Sequence, residues 1–100
     1  MYVVEFTESA IEDLRCLRKH EQEIILDAIE QQLVHEPLTE TRNRKPLRPN
    51  DLSQWELRVD RFCVFYDVTG KDAVVIVKAV GWKEHNKLYI AARSSSYEND

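Results

Sequence analysis

The second half of the chain carries cationic and proton-transferring side chains that together could cleave a phosphodiester bond of RNA without a metal ion. Such cleavage needs a base for the 2′-hydroxyl, cations for the pentacoordinate phosphorane and an acid for the leaving oxygen. Arginine offers phosphate a permanently charged, bidentate fork, and histidine or tyrosine can transfer protons. The candidates, which equally fit an ordinary solvated surface, are Arg48, Arg58, Arg61, Lys83, His85, Lys87 and Tyr89.

Common cofactor and nucleophile signatures are absent from the sequence. With only two glycines, Gly70 and Gly81, a phosphate-cradling loop is not possible. The three histidines lack metal-ligand spacing, and no Ser-His-Asp arrangement is visible from the spacing alone. We therefore expect neither a metal nor an organic cofactor. Cys16 and Cys63 lie far apart and make no CxxC unit, which favours a reduced, buried pair over a disulfide.

Length and composition indicate one soluble globular domain. The chain has 100 residues, of which 43% are hydrophobic and 32% charged. No apolar stretch approaches the roughly 18 residues of a membrane helix, and the N-terminus is no signal peptide, so we expect a cytoplasmic protein. Nine acidic side chains oppose three basic ones in residues 1–36, whereas eleven basic side chains oppose seven acidic ones in residues 37–93. The net charge of −4 argues against a general nucleic-acid coat protein but permits a local basic face.

Hydrophobic periodicity predicts a strand and two helices in the first half of the chain. Residues 2–6 are aromatic and β-branched, as in a strand, and Thr7 or Ser9 then offers a helix N-cap. Two amphipathic helical segments follow, with a break at residues 19–21, and Pro37 ends the second. These segments predict a helical hairpin with one apolar face.

The second half changes to a period of two after a polar loop over residues 38–51. Three strands are predicted, with Gly81 ending the last, and the alternation puts Glu56 and Arg58 opposite the apolar side chains of the first. A short closing helix is predicted around Leu88, and residues 93–100 are expected to form a flexible tail after a domain of residues 1–92. The predicted class is α+β, in the order β-α-α-β-β-β, with a helical hairpin packed on an antiparallel sheet.

Two motifs and their spacing resemble a known family. An aromatic-x-aliphatic-Arg strand runs from Trp55 to Arg58, and an aliphatic-x-Tyr strand ends at Tyr66. A closing aliphatic strand then leads to Gly81 and a late tyrosine, Tyr89. Over residues 2–92 this order resembles the RelE/ParE superfamily of toxins, with the RelE-like branch favoured. The resemblance implies a RelE-like fold and a toxin of a type II toxin–antitoxin pair.

The resemblance also implies site residues. Arg58 and Lys83 match basic positions on the first active-site strand and after the last strand, and Tyr89 matches the late tyrosine. Arg61, Lys83 and Arg58 would then stabilise phosphate while His85 or Tyr89 handles protons. Basic positions of the loop would hold the substrate backbone, and here these are Lys45 and Arg48.

Two positions depart from the family pattern. The arginine expected before the aliphatic-x-Tyr run is Cys63 here, and Glu56 stands at a second basic position. Both changes remove positive charge from the place where a nuclease would hold phosphate. Arg61 projects to the same side of an extended strand as Cys63, so it is expected to reach the gap.

The resemblance leads to three functional alternatives. The first is a metal-independent endoribonuclease, or mRNA interferase, that cleaves messenger RNA on the ribosome and blocks translation. The second is a ParE-like inhibitor of DNA gyrase that needs a binding surface and no proton-transfer residues. The third is an attenuated toxin that is retained for binding its antitoxin. A cognate antitoxin is the expected partner in each case, together with ribosome and mRNA in the first and gyrase in the second.

Overall fold

The computed structural model describes residues 1–90 and the backbone of residues 96–98. Its elements are β1 (Val3–Phe6), α1 (Glu8–Arg15), α2 (Lys19–Leu33), β2 (Arg44–Pro46), β3 (Trp55–Val59), β4 (Phe62–Thr69), β5 (Val74–Glu84), β6 (Lys87–Ile90) and β7 (Ser96–Glu98). The predicted α+β class and the order β-α-α-β-β-β are confirmed for the long elements. The predicted loop contains one further short strand, β2.

The described strands form one mixed sheet. They follow the order β2-β3-β4-β5-β6-β7 with antiparallel neighbours, whereas β1 lies parallel to the first half of β5. The predicted antiparallel arrangement is confirmed for β3, β4 and β5, and β1 joins this sheet as a parallel strand. The helical hairpin after β1 is long enough to act as a crossover, and a parallel pair requires such a connection.

The helical hairpin begins at a side-chain cap. The Thr7 hydroxyl accepts a hydrogen bond from the backbone N–H of Ala10 at 3.1 Å, so Thr7 and not Ser9 is the N-cap of α1. The helix α2 ends at Leu33, four residues before Pro37, so the predicted role of this proline in ending the helix is wrong. Instead the carbonyl of Pro37 accepts a buried hydrogen bond from the Tyr66 hydroxyl at 2.7 Å.

The sheet buries side chains on both of its faces. On one, which we call the helix face, both helices pack against a core that includes Ala10, Leu14, Ile25, Ile29, Leu33, Leu57, Val64 and Val77. The other, the second face, carries a smaller core of Cys63, Phe65, Ala79, Leu88 and Ile90, against which Leu47 and Leu52 pack from the loop before β3. No helix of the residues 1–90 has the length and apolar character needed to cross a membrane.

The predicted closing helix around Leu88 is wrong, because this segment is the strand β6. His85 and Asn86 have positive φ angles of 52° and 64°, which suit a two-residue hairpin turn between β5 and β6. Gly81 lies inside β5 rather than at its end and faces β6 closely. The backbone of Ser96–Glu98 pairs with β6, and the rest of the predicted tail lies outside the described residues. The domain boundary at residue 92 stays a prediction.

A buried carboxylate joins α1 to the sheet. Asp13 Oδ2 accepts a hydrogen bond from the backbone N–H of Val80 at 3.0 Å, and both residues are buried. Asp13→Ala is expected to lower the free energy of unfolding by about 1–3 kcal/mol, since the N–H loses its acceptor inside the core. Denaturant unfolding measures the change. Glu12→Ala, at the exposed neighbouring position, is the control and should stay within about 0.5 kcal/mol. Equal effects of the two substitutions would contradict this role of Asp13.

Candidate functional site

A group of charged side chains surrounds one buried carboxylate on the second face of the sheet. Glu56 and Arg58 come from β3. Lys45 of β2 lies directly opposite Glu56, and Cys63 of β4 lies directly opposite Arg58. Lys83 comes from β5. We call these five residues the Glu56 cluster. Alternation along the strands places them on one face, because Leu57 and Val64 of the same strands point to the helix face.

Glu56 forms ion pairs with both lysines of the cluster. Its Oε2 lies 3.2 Å from Lys83 Nζ, and its Oε1 lies 3.7 Å from Lys45 Nζ. The side chains of Glu56 and Lys83 are only 2% and 12% exposed, whereas that of Lys45 is 54% exposed. Solvent screens the pair with Lys45 strongly and the pair with Lys83 weakly, so Lys83 is the principal partner of Glu56.

Arg58 is the remaining cation of the cluster. Its backbone N–H donates to the Asn43 carbonyl at 2.7 Å, directly beyond the last paired residues of β2 and β3. Its Nε is buried and has no hydrogen-bond partner. Arg58 also borders an open groove of about 650 Å³ between α2 and β3, together with Gln32, Arg42 and Asp60. Arg58 therefore belongs both to the Glu56 cluster and to the lining of this groove.

The Cys63 thiol stays protonated at neutral pH. Burial raises its pKa to about 12, and the negative charge of Glu56 and a hydrogen bond with Glu56 act in the same direction. The opposing charges of Lys83 and Arg58 are too weak to reverse this. Cys16 is exposed, so the predicted buried pair of cysteines is wrong for this residue, although both thiols are free.

The raised pKa of Cys63 predicts a loss of stability in alkaline solution. The thiol of the unfolded chain loses its proton near pH 9, whereas that of the folded chain keeps it up to about pH 12. This contribution to stability is fully present below pH 9, and the free energy of unfolding should fall above it by up to about 1.4 kcal/mol per pH unit. Denaturant unfolding at several pH values measures the slope, which Cys63→Ala should reduce. A slope that is unchanged by Cys63→Ala would contradict the prediction.

Arg61 lies away from the cluster. It occupies the turn between β3 and β4, where its guanidinium pairs with Glu21 of α2 at 3.1 Å and lies 4.8 Å from the ring centre of Phe62. The hydrogen bond from the Arg18 backbone N–H, together with the hydrogen bond and the charge of Arg61, holds the pKa of Glu21 below its usual range. The structure thus directs Arg61 toward the helices and not toward the gap at Cys63, because a turn residue need not follow the alternation of a strand.

The two groups predicted to move protons are also separated from the cluster. Tyr89 pairs with Trp82 across β5 and β6 and stacks on it, with ring centres 5.7 Å apart. Trp82 packs against the core of the helix face, whereas the neighbours of Tyr89, Leu88 and Ile90, belong to the second face. Tyr89 therefore lies on the side of the sheet opposite Lys83. His85 lies at the exposed turn after β5.

The predicted substrate-binding residues lie at the border of the second face. Lys45 belongs to the Glu56 cluster, as described above. Arg48 lines a shallow groove of about 310 Å³ with residues of its own loop and with Asp67 and Lys78, whose charged atoms lie 3.8 Å apart. Among the described residues, no three His, Cys, Asp or Glu side chains come together as a metal site.

Comparison with known proteins assigns the chain to a family. The sequence model that describes the ParE toxin of the type II toxin–antitoxin system parDE matches residues 4–86. The chain belongs to this family. It is therefore the toxin component of a toxin–antitoxin pair, and the predicted RelE/ParE relationship is confirmed. A search of curated protein sequences gave no match.

Three solved structures that resemble the toxin come from toxin–antitoxin complexes. A chain of the RelBE2 complex from Mycobacterium tuberculosis has a TM-score of 0.71 and 26% identity, over 82% of the toxin and 98% of that chain. A chain of the RelE–RelB complex from the archaeon Pyrococcus horikoshii OT3 has a TM-score of 0.62 and 20% identity, over 84% and 97%. A chain of the intact Escherichia coli RelBE complex has a TM-score of 0.59 and 21% identity, over 85% and 100%. The predicted RelE-like fold is confirmed.

The centre of the cluster, Glu56, is the residue that sequence reasoning missed. Alternation correctly predicts that Glu56 lies on the side opposite Leu57, but its charged neighbours Arg58 and Asp60 favour a solvent-facing side, whereas Glu56 is buried. The signal was present in the next strand, where Cys63 and Phe65 are as apolar as Val64 and Tyr66. A strand that is apolar on both sides indicates that its neighbour has two buried faces as well.

Proposed function

We propose that this toxin inhibits DNA gyrase by binding it, without a catalytic step of its own. The observation that carries the proposal is that the predicted nuclease residues lie on different faces of the sheet and do not come together in one site. Arg58 and Lys83 lie on the second face, Tyr89 lies on the helix face, and Arg61 bonds to α2. A nuclease needs its cations and proton-transferring groups around one phosphate, within hydrogen-bond reach of the reacting atoms.

The charge of Glu56 supports the same proposal. A phosphate bound between Lys83 and Lys45 would lie near the Glu56 carboxylate, which already contacts both ammonium groups. Two like charges about 4 Å apart repel by roughly 4 kcal/mol at the effective dielectric constant near a protein surface. A nuclease gains about 3–4 kcal/mol from one well-placed donor to its transition state, so this repulsion offsets such a gain. A protein target, in contrast, needs no free phosphate-binding cations.

Family membership supports gyrase as the target class. The matching family is that of parDE toxins, and the ParE-like branch of the superfamily is the one whose resemblance implies gyrase inhibition. Such a target would place the toxin in the cytoplasm. The cognate antitoxin would release gyrase by occupying the toxin.

A supercoiling assay tests the proposal. Purified toxin is added to DNA gyrase, ATP and relaxed plasmid, and the supercoiled product is measured by gel electrophoresis. We expect inhibition that saturates when the toxin is about equimolar with gyrase and that the purified antitoxin reverses. Supercoiling that continues in a large excess of folded toxin would contradict the proposal.

Cleavage of mRNA on the ribosome is the second candidate function. The observation that favours it is that Arg58 and Lys83, both matched by the resemblance to active-site positions, share the second face with Lys45. As an endoribonuclease, the toxin would hold phosphate with these cations and release new 5′ ends. Incubation with translating ribosomes and mapping of RNA ends would detect them. Arg58→Ala would then lower the cleavage rate by about a hundredfold.

A further inference from the structure

We propose that Glu56 is the residue that keeps RNA off the second face, and thus determines the class of partner that this face accepts. The inference rests on the proposed function, in which the toxin acts on a protein and not on RNA. Without the carboxylate, three cations of the Glu56 cluster, Lys45, Lys83 and Arg58, would share one face. With it, both lysines have a partner inside the chain.

The position of Glu56 makes it an effective competitor of phosphate. Its two oxygens contact ammonium groups that come from two different strands, β2 and β5, on either side of the β3–β4 pair. A phosphate that bridges the lysines needs the same space and the same charges. Because the carboxylate belongs to the chain, its effective concentration at the lysines is on the order of millimolar or higher. RNA phosphates must displace it at every encounter.

The burial of Glu56 makes this competition hard to relieve. The side chain is 2% exposed and lies in the middle of β3, so it cannot turn away into solvent when a polyanion approaches. Cys63 lies beside it on the neighbouring strand β4 and is itself fully buried. An exposed glutamate would move aside, whereas this one stays between the lysines.

Removing the charge of Glu56 should therefore open the face to RNA. In Glu56→Gln, the buried ammonium of Lys83 loses its partner, and the cost of an unpaired buried charge drives it toward solvent. Lys45 also loses its ion pair. Both lysines then become available to the phosphates of an extended strand. Each new contact adds about 0.7 to the slope of log affinity against log salt for a single strand.

Fluorescence anisotropy with a fluorescein-labelled, mixed-sequence 20-nucleotide RNA tests the inference. We expect Glu56→Gln to bind at least about tenfold more tightly than the wild-type chain at 50 mM salt, with a salt slope steeper by about 1.4. Glu30→Gln is the matched control, because it changes the net charge equally at an exposed position on α2. Its affinity and slope should equal those of the wild-type chain. A folded Glu56→Gln variant that behaves like Glu30→Gln would overturn the inference.

A second variant keeps the test valid if Glu56→Gln does not fold, as judged by circular dichroism. Glu56→Gln/Lys83→Gln removes both charges of the buried Glu56–Lys83 pair together, so neither is left without the other, and it frees Lys45 alone. We expect its salt slope to be steeper than that of the wild-type chain by about 0.7, and an unchanged slope would overturn the inference. The supercoiling assay on the wild-type chain is independent of these outcomes. It can reject gyrase as the target while the RNA result still decides the role of Glu56.

Discussion

Gly81→Ala is expected to lower the free energy of unfolding by about 3 kcal/mol or more, as measured by denaturant unfolding. A Cβ atom at this position would lie 2.0 Å from the backbone oxygen of Tyr89 and 3.2 Å from the Cα of Ile90. Both contacts are to backbone atoms, so no side chain can rotate away. The strands β5 and β6 would have to separate, and overpacking of this severity exceeds the usual 1–3 kcal/mol.

Gly70→Ala is the matched control, since the chain has only these two glycines. A Cβ at Gly70 would have no atom within 4 Å, and the backbone there has no positive φ. We expect a change within about 0.5 kcal/mol, or a slight stabilisation from the reduced freedom of the unfolded chain. A loss of stability at position 81 no larger than at position 70 would show that β6 does not approach β5 as described.

Glu56→Gln is expected to lower the free energy of unfolding by about 3 kcal/mol, because the ammonium of Lys83 loses its buried partner and has to leave the packed cluster for solvent. Lys45→Ala should cost less than about 1 kcal/mol, since it removes only the exposed partner of the same carboxylate. Denaturant unfolding measures both changes. The two losses together show how much the buried ion pair of Glu56 with Lys83 contributes relative to its exposed ion pair with Lys45.

A double-mutant cycle isolates the pair of Glu56 and Lys83. Glu56→Gln and Lys83→Gln are measured singly and together. We expect the double variant to lose less free energy of unfolding than the two single variants lose in sum. The difference should be at least about 1 kcal/mol, because the double variant leaves neither charge of the pair without the other. Additive losses would mean that the 3.2 Å contact contributes nothing to stability.

Much of the fold follows from local patterns in the sequence. The change from helical to alternating periodicity at Trp55 located β3 and β4, and the polar turn at residues 69–72 separated β4 from β5. The capping role of Thr7 was one of two choices that the sequence offered. Such features depend on neighbouring residues, so periodicity is sufficient to predict them.

The end of the chain shows where periodicity fails. The sequence predicts that Gly81 ends a strand, because glycine is unfavourable inside strands. It stands inside β5 because β6 comes too close for any side chain, and this partner is not visible in the sequence around Gly81. The short segment around Leu88 fits a helix or a strand equally well. Tertiary pairing decides between them.

Predicting the candidate site requires knowing the face of the sheet on which each side chain lies. A shift of one position sends a side chain to the opposite face, and the pairing of Tyr89 with Trp82 puts the tyrosine away from Lys83. A family resemblance matches such residues by their type and order, and it does not show which face of the sheet each side chain occupies. The register shift between Phe65 and Tyr66 is likewise a local irregularity that alternation does not predict.

Plasmid topology and messenger RNA ends, measured in the same culture after the toxin is induced without its antitoxin, distinguish binding of gyrase from cleavage of RNA most directly. We expect plasmids to lose their negative supercoils before growth stops, while ribosome-bound messages keep their native 5′ ends. Uninduced cells and cells that express the toxin together with its antitoxin serve as controls. New 5′ ends inside translated messages, in cells whose plasmids stay negatively supercoiled, would contradict a non-catalytic toxin that acts on gyrase.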